Sequence, residues 1–467
     1  MTRQNPLERY LVLFLPWIIS VLLSGIPVTS YLVAWSGSFF IFYLTLSGWI
    51  KPLPDDRPAG EQFMRPLFLI QIIFAGYMCC TSIFYFLNVL GFSGPDAGSA
   101  LFQDNRLQLA LTAQCQRYYC LGHAALATGI LAFMRKPSAP DYQIDGDRIL
   151  NLLVSLAVAS LALIVMLRFV PGLSQIANQL TSLSFISATL ALAYAIPQRK
   201  LNFIVVSSFL YLSNFSQALL SGFKEPIIVS VLILGIFLYP SYRKTVIYIF
   251  VPVILALFLL LPTYNKIFRE RAWSGETSAD NASREALDAV LSNNDEDDTN
   301  WGFLVYRLSE IDMFTKFVQS TPDYIPFYDL QLVEQAVEVI IPRIIWPSKP
   351  NTEELVMERV YNAGVVYRGA NVSAKPAFVV DAYLSGGTAG VAFFLFLYGA
   401  VCQLISRKAE QLFGGYLVGS ALIFGGLFQI LWRGLSFEFL FNAVFWSFVS
   451  MYMLYAIFRF THILTPA

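Results

Sequence analysis

Apolar stretches of about twenty residues recur about twelve times along this chain, and that is the length a helix needs to cross a hydrocarbon core about 30 Å thick. They lie at roughly 10–29, 31–50, 66–90, 110–134, 149–170, 177–197, 201–221, 226–241, 245–263, 379–404, 413–431 and 437–459. A chain so patterned has the bilayer as its solvent, where backbone polar groups must be closed within helices. Composition agrees: of 467 residues, 56% are hydrophobic and 13% charged, and the mean hydropathy is +0.59. The expected fold is an all-α polytopic membrane protein with about twelve transmembrane helices. The first stretch follows Arg3 and Arg9 and ends at Val28-Thr29-Ser30, a poor cleavage site, so it reads as a retained helix.

The charges orient these stretches. Every second connection is basic: Arg3 and Arg9; Lys51, Arg57 and Arg65; Arg135, Lys136 and Arg148; Arg199 and Lys200; Arg243 and Lys244; Arg407 and Lys408; and Arg459. The alternate short connections hold only Arg106, Arg168, Lys224 and Arg433. By the positive-inside rule the basic set is cytoplasmic, as are both termini, and the long hydrophilic stretch lies outside. Three regions follow: helices over 1–264, an outer loop over 265–375, and the last helices over 376–467.

Several functions are excluded early. A net charge of zero gives no reason to expect a nucleic-acid partner, and no glycine-rich phosphate loop precedes a Lys-Ser or Lys-Thr pair to drive ATP-dependent pumping. All five cysteines (Cys79, Cys80, Cys115, Cys120, Cys402) lie in apolar stretches and read as small buried hydrophobes. The acidic run Asn294 to Asp298 lacks the glycine and glutamate of a calcium loop and reads as solvated chain. No cofactor or metal is expected.

The outer loop carries helical periodicity. Leu304, Leu308, Ile311 and Val318 precede Thr321-Pro322, and Leu332, Val333, Ala336, Val337 and Ile340 precede Pro342. A third helix is expected from Asn351, with Glu354 placed for a capping box, to about Asn362 and Gly364. Short amphipathic helices of this kind rest on the bundle or the leaflet, as a platform over the membrane.

Charges set against the orientation rule need a reason, because an arginine at membrane depth costs about 2.5–3.5 kcal/mol. Lys224 sits in the turn Ser221 to Pro226, Arg433 in Leu431-Trp432-Arg433-Gly434, Arg117 near the outer end of the fourth stretch, and Arg168 near that of the fifth. Each has a structural reading, by snorkelling or pairing. Together they make a cationic ring suited to phosphate or pyrophosphate at headgroup depth. His123 lies deeper and reads as a hydrogen-bonded bundle residue. The glycine pairs Gly386/Gly390 and Gly415/Gly419 are spaced for close helix packing.

Four segments resemble the Wzy-type O-antigen and exopolysaccharide repeat-unit polymerases, including the Wzy-like proteins of exosortase systems. They are Leu220 to Pro226; Tyr306-Arg307-Leu308-Ser309-Glu310-Ile311-Asp312 running on to Thr321-Pro322; Ile341-Pro342-Arg343-Ile344-Ile345-Trp346-Pro347-Ser348-Lys349-Pro350, the most specific; and the pair Asp381 to Gly387 with Trp432-Arg433-Gly434. The likeness covers roughly 200–445. Where many relatives carry Glu at the mouth of the tenth span, this chain has Asp381.

The resemblance implies a bacterial inner-membrane glycosyltransferase with a GT-C-like fold. It would transfer a glycan chain from undecaprenyl pyrophosphate onto the next lipid-linked repeat unit at the outer, periplasmic face. Its partners would be the undecaprenyl-pyrophosphate-linked oligosaccharide, membrane lipids and a chain-length regulator. Negative charge builds on the departing pyrophosphate, and Arg307, Arg343, Arg433 and Lys224, with Arg117 and Arg168, are the candidates to stabilise it. Asp381 and Glu310 are the candidate bases for the acceptor hydroxyl. An O-antigen ligase is disfavoured because the only histidines are His123 and His462, neither in the outer loop. Another lipid-dependent glycosyltransferase fits the same residues. A flippase or transporter should collect its charges near the midplane, whereas here they collect at one face.

Overall fold

The computed structural model describes residues 6–92, 105–135, 140–167, 174–221, 224–272, 277–292, 301–343, 345–369 and 373–467. Helices dominate, and the described residues pair as a sheet only where Tyr142–Gln143 meets Thr465–Pro466. Among the described residues, six helices are long and apolar enough to cross a membrane: Pro27–Leu46, Pro66–Val89, Gly146–Leu167, Leu201–Leu220, Phe378–Leu412 and Phe437–Phe460. Three shorter apolar helices, Gln179–Ala195, Pro226–Leu238 and Leu417–Leu427, accompany them. The chain is an all-α membrane protein.

Two expected stretches differ instructively. The stretch 10–29 forms two short helices, Pro6–Val12 and Leu15–Leu22, because Pro16 and Pro27 each fall in the first turn of a new helix, where proline is tolerated. The stretch 110–134 is the single helix Arg106–Phe133, less apolar than the six because its Thr112, Gln116 and His123 are buried against protein rather than lipid. His123 Nε2 lies 2.9 Å from Gln71 Oε1, which also accepts from Thr45 Oγ1 at 3.0 Å, so the histidine is a bundle residue as expected.

This central helix crosses Phe378–Leu412 in direct backbone contact. A Cβ on Gly129 would stand 2.1 Å from the Phe396 carbonyl oxygen, and one on Gly399 would stand 2.1 Å from that of Leu126. Without hydrophobic driving force between helices in lipid, such close approach is a main source of association. Gly399→Val should therefore cost at least the upper end of the usual overpacking range of about 1–3 kcal/mol. The check is loss of the monodisperse peak of detergent-solubilised protein in size-exclusion chromatography, with Gly25→Ala, which meets nothing within 4 Å, eluting normally.

Phe378–Leu412 is itself broken at Gly386 (φ 177, ψ 33) and Gly387 (φ 58, ψ −135). The left-handed φ of Gly387 favours glycine, and a Cβ on Gly390 would meet the Ala382 carbonyl at 2.1 Å. Gly386 and Gly390, expected to mediate packing between helices, instead make and close a bend. The freed Leu384 carbonyl accepts from the backbone N–H of Tyr328 at 2.9 Å, so backbone from the long connection completes the broken helix.

That connection begins beyond Ala272, where the helix Val251–Ala272 carries past residue 265, and it contains Ala279–Ser292, Ile311–Ser320, Gln331–Glu338 and Thr352–Asn362. The helix expected through Leu304 and Val318 is split: a π-turn covers Leu304–Leu308, and Glu310 takes the left-handed φ of 56° ahead of Ile311. Thr352–Asn362 starts as expected, with the Asn351 side chain accepting the Glu353 N–H at 3.1 Å. Apolar faces of these helices, including Ile311, Phe314, Phe317, Leu332, Ala336, Met357 and Val360, join the core of the bundle. Tyr119 donates to the Ser309 carbonyl at 3.0 Å, and Tyr85 to Asp312 Oδ1 at 2.8 Å. The connection is a platform built onto the helices. At the far end of Phe378–Leu412, Arg57 is buried between Asp56 and Glu410, at 2.8 Å from each, and Arg65 also pairs with Asp56.

Candidate functional site

Where the platform meets the bundle, three charged side chains are sealed together. Arg359 comes from Thr352–Asn362, Asp381 from the first turn of Phe378–Leu412, and Glu438 from that of Phe437–Phe460; they are 3%, 0% and 0% exposed. The guanidinium forks twice. Nε and Nη2 donate to Asp381 Oδ1 and Oδ2 at 3.1 and 2.9 Å, and Nη1 and Nη2 donate to Glu438 Oε1 and Oε2 at 2.6 and 2.8 Å. Asp381 Oδ2 also accepts the Phe437 N–H at 2.9 Å, at the positive end of the last helix. The cluster sets two carboxyl groups on one guanidinium, each carboxyl at a helix N-terminus whose positive end favours negative charge. Burial opposes the Arg359 charge, but the Asp381 and Glu438 carboxylates outweigh it and hold the guanidinium above its ordinary value.

The sequence did not single out Arg359, although a signal existed. Val356, Met357 and Val360 form the buried face of its helix, and Arg359 shares that face. A charge on the apolar face of an amphipathic helix has a buried partner.

The predicted residues that the structure describes have different partners. Asp381 has both oxygens committed to Arg359 and Phe437. Glu310 is half-buried at the break before Ile311, beside the Ser309 carbonyl that Tyr119 holds. Arg307 belongs to the π-turn, so it and Glu310 do not share one helix; its side chain lies outside the described residues. Arg117 is half-buried, donating from Nη1 to Ser30 Oγ at 2.9 Å. Arg168 and the acidic run at 294–298 lie outside the described residues, as does the side chain of Lys224, which opens Lys224–Leu238. Through its bond to Ser30, Arg117 joins the central helix to Pro27–Leu46.

Arg433 and Arg343 stand elsewhere, and both are exposed. Arg433 ends the short helix Ile430–Arg433, just before Phe437. Arg343 sits on the turn after Gln331–Glu338, with Nη2 at 3.4 Å from the Pro350 carbonyl. That turn is fastened to the last helix, because Trp446 Nε1 donates to the Ile340 carbonyl at 3.3 Å. Both arginines thus border the N-terminal half of one apolar helix, a placement suited to an anion held close to the membrane.

A family described as a domain of unknown function (DUF8712) matches residues 15–466 of the chain. No curated protein and no solved structure matches it.

Proposed function

We propose that this chain, which belongs to the DUF8712 family, is a membrane-embedded glycosyltransferase that polymerises lipid-linked repeat units at the outer face of the inner membrane. Arg343 and Arg433, exposed beside Phe437–Phe460, are the observation that carries the proposal. A glycan on a lipid pyrophosphate presents its reacting bond at headgroup depth, and fixed guanidinium groups there favour the charge that grows as the bond breaks. Arg307 and Lys224 are further candidates for the same anion.

In the proposed reaction the acceptor hydroxyl oxygen bonds to the anomeric carbon as that carbon's bond to the pyrophosphate oxygen breaks. The lipid pyrophosphate leaves with the electron pair, and the hydroxyl proton passes to a carboxylate. Glu310, half-buried at the break before Ile311, is the base we propose. It holds a left-handed backbone conformation uncommon for a non-glycine residue. Asp381 is engaged by Arg359 and fixes the platform instead. Twelve spans in a GT-C-like arrangement, cytoplasmic termini, an undecaprenyl pyrophosphate donor and a chain-length regulator belong to this proposal.

The break at Gly386–Gly387 favours one rival, since transporters place discontinuous helices at their substrate sites. Deleting the gene from its host separates the alternatives. The polymerase predicts single lipid-linked repeats displayed at the outer face. Repeats retained on the cytoplasmic face would identify a flippase, and full-length polymer left on its lipid carrier would identify a ligase.

A further inference from the structure

The turn after Gln331–Glu338 is built inside out for a segment in water. The helix's own last carbonyls, on Gln335, Val337 and Glu338, are closed by backbone N–H groups in the usual way, and those of a turn beyond it would ordinarily face solvent. Here three successive carbonyls are closed by side chains: Val339 and Ile341 accept from Lys349 Nζ at 2.5 and 2.8 Å, and Ile340 accepts from Trp446 Nε1 at 3.3 Å. Pro342, Pro347 and Pro350 bring no N–H to satisfy, and the Pro342 carbonyl takes the N–H groups of both Ile345 and Trp346 at 3.0 Å. Lys349, whose ammonium would ordinarily seek water, is only 6% exposed. Two apolar side chains of the turn point the other way: Ile345 is 74% exposed and Ile341 38%. Internal closure of polar groups with apolar groups turned outward is what a lipid environment requires.

The position of the turn supplies the lipid. Trp446 lies nine residues beyond Phe437 in a helix apolar enough to cross a membrane. A helical side chain covers the turn before its own Cα, so the indole contact sits about 8 Å along that helix from its start. At that level the helix's own exposed neighbours are apolar, Phe445 and Phe448 among them.

We infer that the turn carrying Ile341, Arg343, Ile345 and Trp346 is seated in the phospholipid leaflet, with both isoleucines among the acyl chains and Arg343 at the headgroup phosphates. The bilayer is the partner of this face, and Lys349 replaces the water that the backbone loses there. The inference shares Arg343 and its depth with the glycosyltransferase proposal but is argued from Lys349, Trp446 and Ile345.

The test needs no activity. Ile345→Cys and, as a control, Tyr367→Cys on the connection surface (76% exposed) are labelled with a bimane fluorophore after reconstitution into phospholipid nanodiscs. The five native cysteines are buried or half-buried; an unmutated sample measures their background. Doxyl-labelled phospholipid should quench the label at 345 at least about twofold more than at 367, and aqueous iodide should show the reverse preference. Equal iodide quenching at both sites would overturn the inference, as would a label at 345 shielded from both quenchers, which would point to a protein partner or a second copy. None of these outcomes bears on whether the protein polymerises glycans.

Discussion

Arg359→Met should destabilise the protein by about 3–5 kcal/mol, because it leaves the Asp381 and Glu438 carboxylates buried with no cation between them. The measurement is the thermal unfolding midpoint of the detergent-purified protein, together with its yield. Arg359→Lys should recover little, since one ammonium cannot donate to two carboxylates in the forked geometry seen here. The decisive comparison is the triple variant Arg359→Met, Asp381→Asn, Glu438→Gln. Breaking a buried ion cluster is costly, but replacing all of its charges is not, so the triple variant should melt closer to the parent than Arg359→Met does. If Arg359→Met melts with the parent, the platform is held by its apolar faces alone.

The proposed chemistry predicts a different pattern. Arg343→Ala and Arg433→Ala should each lower polymer formation by about a hundredfold, because each removes a donor whose interaction strengthens as the pyrophosphate departs. Their melting should barely change, as both side chains are exposed. Lysine should rescue either position poorly if a bidentate grip on the anion is needed. Glu310→Gln should also abolish turnover while retaining donor binding, as expected for loss of the proton acceptor. Asp381→Asn should behave like a member of the buried cluster and melt early. Polymer assays on purified protein in liposomes, each paired with a melting curve, read both quantities. Folded Arg343→Ala and Arg433→Ala proteins that polymerise at the parent rate would remove the anion site.

What was legible in the sequence was what local periodicity encodes. Leu332, Val333 and Ala336 announced the helix Gln331–Glu338, and Asn351 announced the start of Thr352–Asn362, because period and caps are properties of neighbouring residues. The break at Glu310 was hidden, since Leu304, Leu308 and Ile311 keep helical spacing straight through it. Gly386 and Gly387 were visible as glycines, but the bend they make is completed by Tyr328, more than fifty residues earlier in the chain. Arg359 escaped for the same reason. Its partners lie 22 and 79 residues away, and nothing near it in the chain shows that two helix starts converge on it. Asp381 was singled out as a candidate base through the resemblance. The sequence could not show that its oxygens were already engaged.

Those separations also impose an order on biogenesis. Synthesis delivers Arg359 first, Asp381 only 22 residues later, and Glu438 after a further 57. An ionised carboxylate entering the membrane unaccompanied is penalised by about 2.5–3.5 kcal/mol, yet Asp381 has its counterion already made when it emerges. The two can enter as a neutral couple while half of the guanidinium still has no acceptor. Glu438 arrives last, on the final long apolar helix, and fills that half. Until residue 438 is made, half of the Arg359 fork therefore has no acceptor in this cluster.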